Sequence, residues 1–266
     1  MTKDTNGNIQ NRTSSKTTKL VIAALFAALS LALKPFEIYL LPVARLSFVP
    51  VPVLVSGMVL GPVWGAAVGL IADLAGFIFM DKSGMAINPI LILGNVLLGA
   101  IPGLIFHLSK KIKIKDLTFN LLNIGNYVVL VVLCMILLMC GDFLQLQDGV
   151  FQILSPTSEE FVPLPMSAIL LIASGFIIYS MFITFLLRKI RNKQERSRDV
   201  LAQVLFSVSL AVIISHMTLN TIGLSLQYGW PLSVMLVIKL VQGFCTIPVF
   251  TLVAYVILKA ARRFKV

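Results

Sequence analysis

Six polar side chains stand inside runs of apolar residues: Asp73, Asn95, His216, Asn220, Lys239 and Gln242. A carboxylate or an ammonium in hydrocarbon is costly and marks function by default. Counting about 1.5 Å per residue from the outer helix ends, Asn220 lies roughly 9 Å deep and Lys239 roughly 11 Å. By the same count His216 and Gln242 lie roughly 15 Å deep, and Asn95 and Asp73 near 10 Å. Four helices thus bring these groups to one layer of the outer leaflet. Convergent polar groups between apolar walls suit the binding of a small molecule. Catalysis has less support. Asp73 is the one acidic residue expected within the bilayer, whereas metal-assisted phosphate transfer wants several acidic ligands. No GxxxxGK[ST] motif is present. Cys134, Cys140 and Cys245 lie in apolar runs without CxxC spacing, which argues against a zinc site and against a disulfide framework. The expectation is therefore no enzyme activity, no metal and no cofactor. A structural alternative stands beside each group. Asn95, Asn220, Gln242 and His216 could be interhelical contacts, and Lys239 could simply neutralise Asp73.

The elements that carry these residues follow from composition. The chain has 266 residues, 58% of them hydrophobic and 12% charged, with a mean hydropathy of +0.96. A soluble domain carries about 25% charge, so the expectation is an all-α, polytopic membrane helix bundle. Eight apolar runs are legible, at about 20–33, 47–60, 63–80, 89–108, 117–140, 165–187, 200–226 and 232–258. The third carries GPVWGAAVGLIADLAG over 61–76, in which Gly61, Gly65, Gly69 and Asp73 recur every fourth residue. That step predicts one helical stripe against which a neighbouring helix packs closely. Eight spans put both termini on the same side. Basic residues cluster at 110–115, 188–198 and 259–265 and in the first 19 residues, while the other side holds only Lys34, Arg45 and Lys82. The asymmetry predicts cytoplasmic termini. It also accounts for the net charge of +11 by attraction to anionic lipid. The run RKIRNKQERSR has no interleaved aromatics, so nucleic acid is not an expected partner. Residues 1–16 read as a disordered cytoplasmic tail, 17–108 as four core helices, 109–199 as a helical hairpin with basic linkers, and 200–266 as the last two core helices and a basic tail.

Several stretches carry a family resemblance. The first run, AALFAALSLA, places Ala23 with Ala27, and Ala24 with Ala28 and Ala32, on small-residue stripes. It is followed by RLSFVPVPVLVSGMVLGPVWGAAVGLIADL and, near the end, by LNTIGLSLQYGWP and KLVQ. Together these resemble the substrate-binding S component of an energy-coupling factor (ECF) vitamin transporter, of the folate-type group. The resemblance covers about 17–108 and 200–260.

That resemblance implies a six-helix core with the runs at 117–140 and 165–187 as an inserted hairpin. It implies a vitamin, folate preferred, bound at the outer face of the cell membrane. Delivery would follow docking on a membrane coupling protein driven by two ATPases. Docking maps to Ala23, Ala24, Ala27, Ala28 and Ala32. The vitamin site maps to the Pro35–Leu46 loop and to Lys34, Arg45, Asp73, Asn88, Asn95, His216, Asn220, Lys239 and Gln242, with Gly61, Gly65 and Gly69 serving helix packing. Gly223 and Lys239 stand where the folate-type pattern tends to carry Trp and Arg, which leaves pantothenate, riboflavin or a queuosine precursor open. An ion-coupled or solo carrier and a membrane enzyme of lipid chemistry are the competing classes. The first wants repeated halves with broken helices, and no convincing repeat is visible.

Overall fold

A computed structural model of the chain describes residues 5–41, 44–80, 87–112, 116–140, 144–147, 150–154, 161–163, 177, 179, 181, 200–229 and 231–263. Helices dominate. They are α1 (Thr5–Leu33), α2 (Pro50–Leu60), α3 (Pro62–Met80), α4 (Pro89–Ile112), α5 (Asp116–Cys140), α6 (Val200–Val212), α7 (Asn220–Tyr228) and α8 (Leu232–Arg263). A π-helical turn, Ile213–Leu219, joins α6 to α7. Among the described residues, five stretches are long and apolar enough to cross a membrane: Lys16–Phe36, Pro62–Phe79, Pro89–Ser109, Val200–Tyr228 and Met235–Ala260. Pro50–Leu60 and Thr118–Leu133 are shorter apolar helices. Of the run expected at 165–187, residues 177, 179 and 181 alone are described. Helix α1 reaches back to Thr5, into the stretch 1–16.

The bundle is all-α, as expected, and short strands occur in the segments outside its helices. Strands β1 (Ile38–Leu41) and β2 (Ala44–Leu46) form an antiparallel pair with Tyr39 opposite Arg45. Strands β3 (Leu144–Gln147), β4 (Val150–Leu154) and β5 (Phe161–Pro163) form an antiparallel meander. Both sheets fall in stretches that the prolines and polar residues had marked as loops. Backbone groups outside a helix still need partners, and a short ladder supplies them.

Glycine sets how tightly α2, α3 and α4 pack. A Cβ on Gly57 or Gly65 would overlap the carbonyl oxygen of Gly99, and one on Gly69 would overlap the carbonyl oxygen of Asn95. Gly65 and Gly69 thus do what their spacing predicts. Gly61 does not share that role. It closes α2 at φ 101°, in the backbone region that glycine alone enters cheaply, and a Cβ there would meet nothing within 4 Å. Gly61 is a turn residue, and the packing stripe begins one step later.

Helix α1 packs on α2 and α3, α6 on α4, α5 and α8, and α8 also on α2. The core between them is aliphatic, with Leu54, Val55, Leu98, Val204, Leu205, Val208, Leu240 and Ile247 fully buried. Helix α5 belongs to this bundle through its contacts with α6 and α8. Tyr179 is also buried. It meets Tyr127 of α5 edge-on at 5.0 Å between ring centroids and Phe244 of α8 at 6.0 Å. Edge-to-face geometry at this separation is the favoured aromatic arrangement.

The glycine contact generates a prediction. Gly99→Ala forces a methyl group into the Gly65 backbone and should destabilise the protein by about 1–3 kcal/mol, the usual range for overpacking. Gly125→Ala, where a Cβ meets nothing within 4 Å, is the control expected to leave the melting temperature in detergent unchanged or slightly raised.

Candidate functional site

A cavity of about 340 Å³ opens among α1, α2, α3, α4, α7 and α8. Its wall is assembled from helix positions that share a face. Asp73 follows Gly69 by one turn on α3, and Asn95 precedes Gly99 by one turn on α4. The glycine-mediated approach of these two helices brings the side chains together, and Asn95 Nδ2 donates to Asp73 Oδ1 at 2.8 Å. On α8, Lys239 Nζ donates to Gln242 Oε1 at 3.3 Å, one turn away. Lys239 is only 6% exposed.

The helix that runs from α6 to α7 contributes through its π-turn. Thr218 Oγ1 donates to the Ile213 carbonyl five residues back, at 3.0 Å. Single π-turns inside helices recur at functional sites. His216 lies within the turn, and its Nδ1 sits 3.0 Å from Nδ2 of Asn220. An amide NH2 can only donate, so Nδ1 accepts, and a neutral His216 carries its proton on Nε2. Asn220, Leu224 and Gln227 follow one another down α7 at helical spacing, and all three line the cavity.

The remaining wall comes from the end of α1 and the turn after it. Ser30 Oγ donates to the Val49 carbonyl at 2.9 Å and ties α1 to the start of α2. The stem of Lys34 crosses α3 at Gly76, where a Cβ would lie 3.1 Å from both Cδ and Cε of the lysine. Ser47 Oγ donates to Glu37 Oε1 at 3.0 Å and also accepts from the Val49 N–H at 3.1 Å. Apolar wall is supplied by Val49, Pro50, Val53, Ala72, Leu91, Val212 and Phe250.

Of the residues expected at a binding site, Lys34, Asp73, Asn95, His216, Asn220, Lys239 and Gln242 line this one cavity. Asn88 stands behind the wall, bonded to the Gly223 carbonyl at 2.9 Å and to Gln227. Arg45 is described by its backbone in β2, and its side chain lies outside the described residues, as does all of Lys82. Glu37, from the expected Pro35–Leu46 loop, lines the cavity as well, and Ser47, Gln227, Tyr228 and Thr246 line it without having been expected there. A signal existed for one of these: Gln227 is seven residues beyond Asn220.

Such a wall can bind a molecule that has both hydrogen-bonding edges and apolar faces. Its volume falls within the roughly 300–1,000 Å³ of small-molecule sites. Among the described residues, no group of three His, Cys, Asp or Glu could hold a metal ion. The small-residue stripes of α1 divide. Ala23 and Ala27 are 7% and 5% exposed and face the bundle, whereas Ala24, Ala28 and Ala32 are exposed.

Residues 18–172, more than half of the chain, match the family model of the ECF transporter, substrate-specific component. The chain belongs to that family. No curated protein and no solved structure matches it. As a substrate-specific component, it is an integral membrane protein and a transporter subunit. The matched stretch runs through α5 and beyond, into the segment expected as an insertion, and stops before α6.

The Asp73–Asn95 bond is the first contact to test in this component. Asn95→Leu removes a donor from a part-buried carboxylate and should lower stability by about 1–3 kcal/mol. Asn95→Gln, which keeps the amide, should lose less, as read from thermal unfolding in detergent.

Proposed function

We propose that this substrate-specific component binds a folate-type vitamin in the cavity and carries it into the cell by docking on a membrane coupling protein with two ATPases. One observation carries the reading: two ammonium groups, Lys34 and Lys239, stand on the wall of the same cavity as Asp73, Asn95 and Gln242. A folate-like molecule has two carboxylates, which want cations, and a flat heteroaromatic head, which wants donors and acceptors along its edge. Arg45, in the hairpin next to α2, is the third cation of this reading and can grip a carboxylate with two parallel bonds. The cavity then opens to the outer face of the cell membrane, with eight spans and cytoplasmic termini as the charge pattern requires.

The exposed Ala24–Ala28–Ala32 stripe serves docking in this reading, because small side chains let another helix approach closely. Ala23 and Ala27 are already occupied inside the bundle. A second reading, with pantothenate, riboflavin or a queuosine precursor as the vitamin, is favoured by one feature. Gly223, where the folate-type pattern tends to carry Trp, is packed against Leu91 and Asn88 and leaves no room for a larger side chain.

Titration calorimetry on the detergent-purified protein tests the ligand, with mass spectrometry of co-purifying small molecules deciding between vitamins. Lys239→Ala is expected to weaken folate binding more than tenfold, since a buried charge contact is lost. Normal folate binding by that variant would place the ligand elsewhere.

Docking has its own test. Ala28→Trp should abolish vitamin uptake in cells that carry the coupling module while leaving binding by the isolated component intact. Normal uptake would remove α1 from the docking surface.

A further inference from the structure

Two buried oxygens beside the cavity converge on one point of α4. Ser215 lies in the π-turn and is fully buried. The Asn220 N–H donates to the Ser215 carbonyl, so the wide turn stacks these two residues, five apart, on one side of the helix. That side packs on α4. Gly94 stands opposite, and a Cβ on it would lie 2.9 Å from Asn220 Oδ1 and 3.5 Å from Ser215 Oγ. The next atom, Leu219 Cβ, is 3.7 Å from the same point. Both oxygens are enclosed, and neither has a hydrogen-bond partner among the described residues.

The chemistry of the two atoms limits what fits between them. An amide oxygen only accepts, so Asn220 Oδ1 needs a donor. The other end of that amide is engaged, since Nδ2 donates to His216 Nδ1 at 3.0 Å. The Ser215 hydroxyl can donate or accept. Gly94 has no side chain to offer, and its N–H lies beyond the first turn of α4, where it is engaged within the helix. Water is the smallest group that donates to one oxygen while accepting from the other. In apolar surroundings, two unpartnered polar groups cost more than immobilising one water.

We propose that the notch at Gly94 is a binding site for a single ordered water, which donates to Asn220 Oδ1, accepts from Ser215 Oγ and so ties the π-turn to α4. Glycine is needed at 94 because any side-chain carbon enters the space the water takes. The water holds the oxygen end of Asn220 toward α4 and the NH2 end toward His216, and these two residues line the cavity. The site is independent of which ligand fills the cavity.

Thermal unfolding of the full-length, detergent-purified protein tests this with two substitutions at one position. Gly94→Ala and Gly94→Ser add the same Cβ and displace the water alike. Only the serine brings back a hydroxyl that can donate to Asn220 Oδ1. Alanine is the better helix former, so without the site Gly94→Ala should melt higher. With the site the order reverses, and Gly94→Ser should melt about 2–4 °C above Gly94→Ala, the effect of one hydrogen bond in a chain of this size. Adding Asn220→Leu removes the acceptor and should close that gap. A Gly94→Ala variant that melts as high as Gly94→Ser, or a gap that survives Asn220→Leu, would overturn the proposal. A crystal structure of the ligand-free protein, at a resolution that shows ordered solvent, is the second measurement. Density about 2.5–3.0 Å from both oxygens is expected. A direct Ser215–Asn220 bond with no density between them, or density that appears only when a ligand is bound, would also overturn it.

Discussion

The close approach of α3 and α4 through glycine is the constraint on which the rest of the site depends. Gly65 lies against Gly99, and Gly69 against the Asn95 carbonyl, with no room for a side-chain carbon at either point. Apolar side chains give little drive for helix association within lipid, so backbone proximity and interhelical hydrogen bonds must supply it. One turn further along the same two stripes, the side chains resume, and those that first fit are Asp73 and Asn95. The carboxylate is tolerable because the glycines below it hold an amide within hydrogen-bonding reach. The Asp73–Asn95 contact and the helix packing are thus successive steps of one four-residue repeat.

The rest of the wall follows a related rule: polar groups are paired within the protein before they face the cavity. Glu37 is held by Ser47, Gln242 by Lys239, Gln227 by Asn88 and His216 by Asn220. Each pairing constrains how that side chain is oriented. In a low-dielectric setting, a polar group with a fixed direction discriminates far more than one that can turn, since a mismatched contact leaves a desolvated group behind. The orientation of the wall thus depends on residues outside it, such as Asn88, as well as on those in it.

Much of this was legible in the sequence, for reasons that particular residues make clear. Asp73, Asn95, His216, Asn220, Lys239 and Gln242 stood out because a polar residue in an apolar run is rare, and because depth along a helix can be counted. Their gathering at one cavity follows from that shared depth. Gln227 did not stand out, because it lies at the end of an apolar run, where a polar residue is ordinary. Asn88 was read as a wall residue, and only the direction of its bonds places it behind the wall. Gly61 shared the spacing of its neighbours, yet it serves as a turn, because periodicity does not report where a helix ends. The strands escaped notice because prolines and polar residues mark a break in helix without saying what fills it. Helix α5 was set apart as an insertion from the resemblance alone, whereas its packing on α6 and α8 is a tertiary fact.

The π-turn at Ile213–Leu219 divides one long helix into two parts with different obligations. Below it, α6 buries Val204, Leu205 and Val208 in the core and cannot rotate without unpacking the bundle. Beyond it, α7 continues on the face that α6 set, because a wide π-turn takes up one extra residue while turning the chain about as far as an α-helix one residue shorter. Loss of one residue within 213–219 would therefore restore an unbroken α-helix and leave Asn220, Leu224 and Gln227 on the same side of the bundle. What such a deletion would remove is the bulge itself, the widened backbone that carries His216. The extra residue thus changes the shape of one stretch of the cavity wall without re-aiming the helix on either side of it.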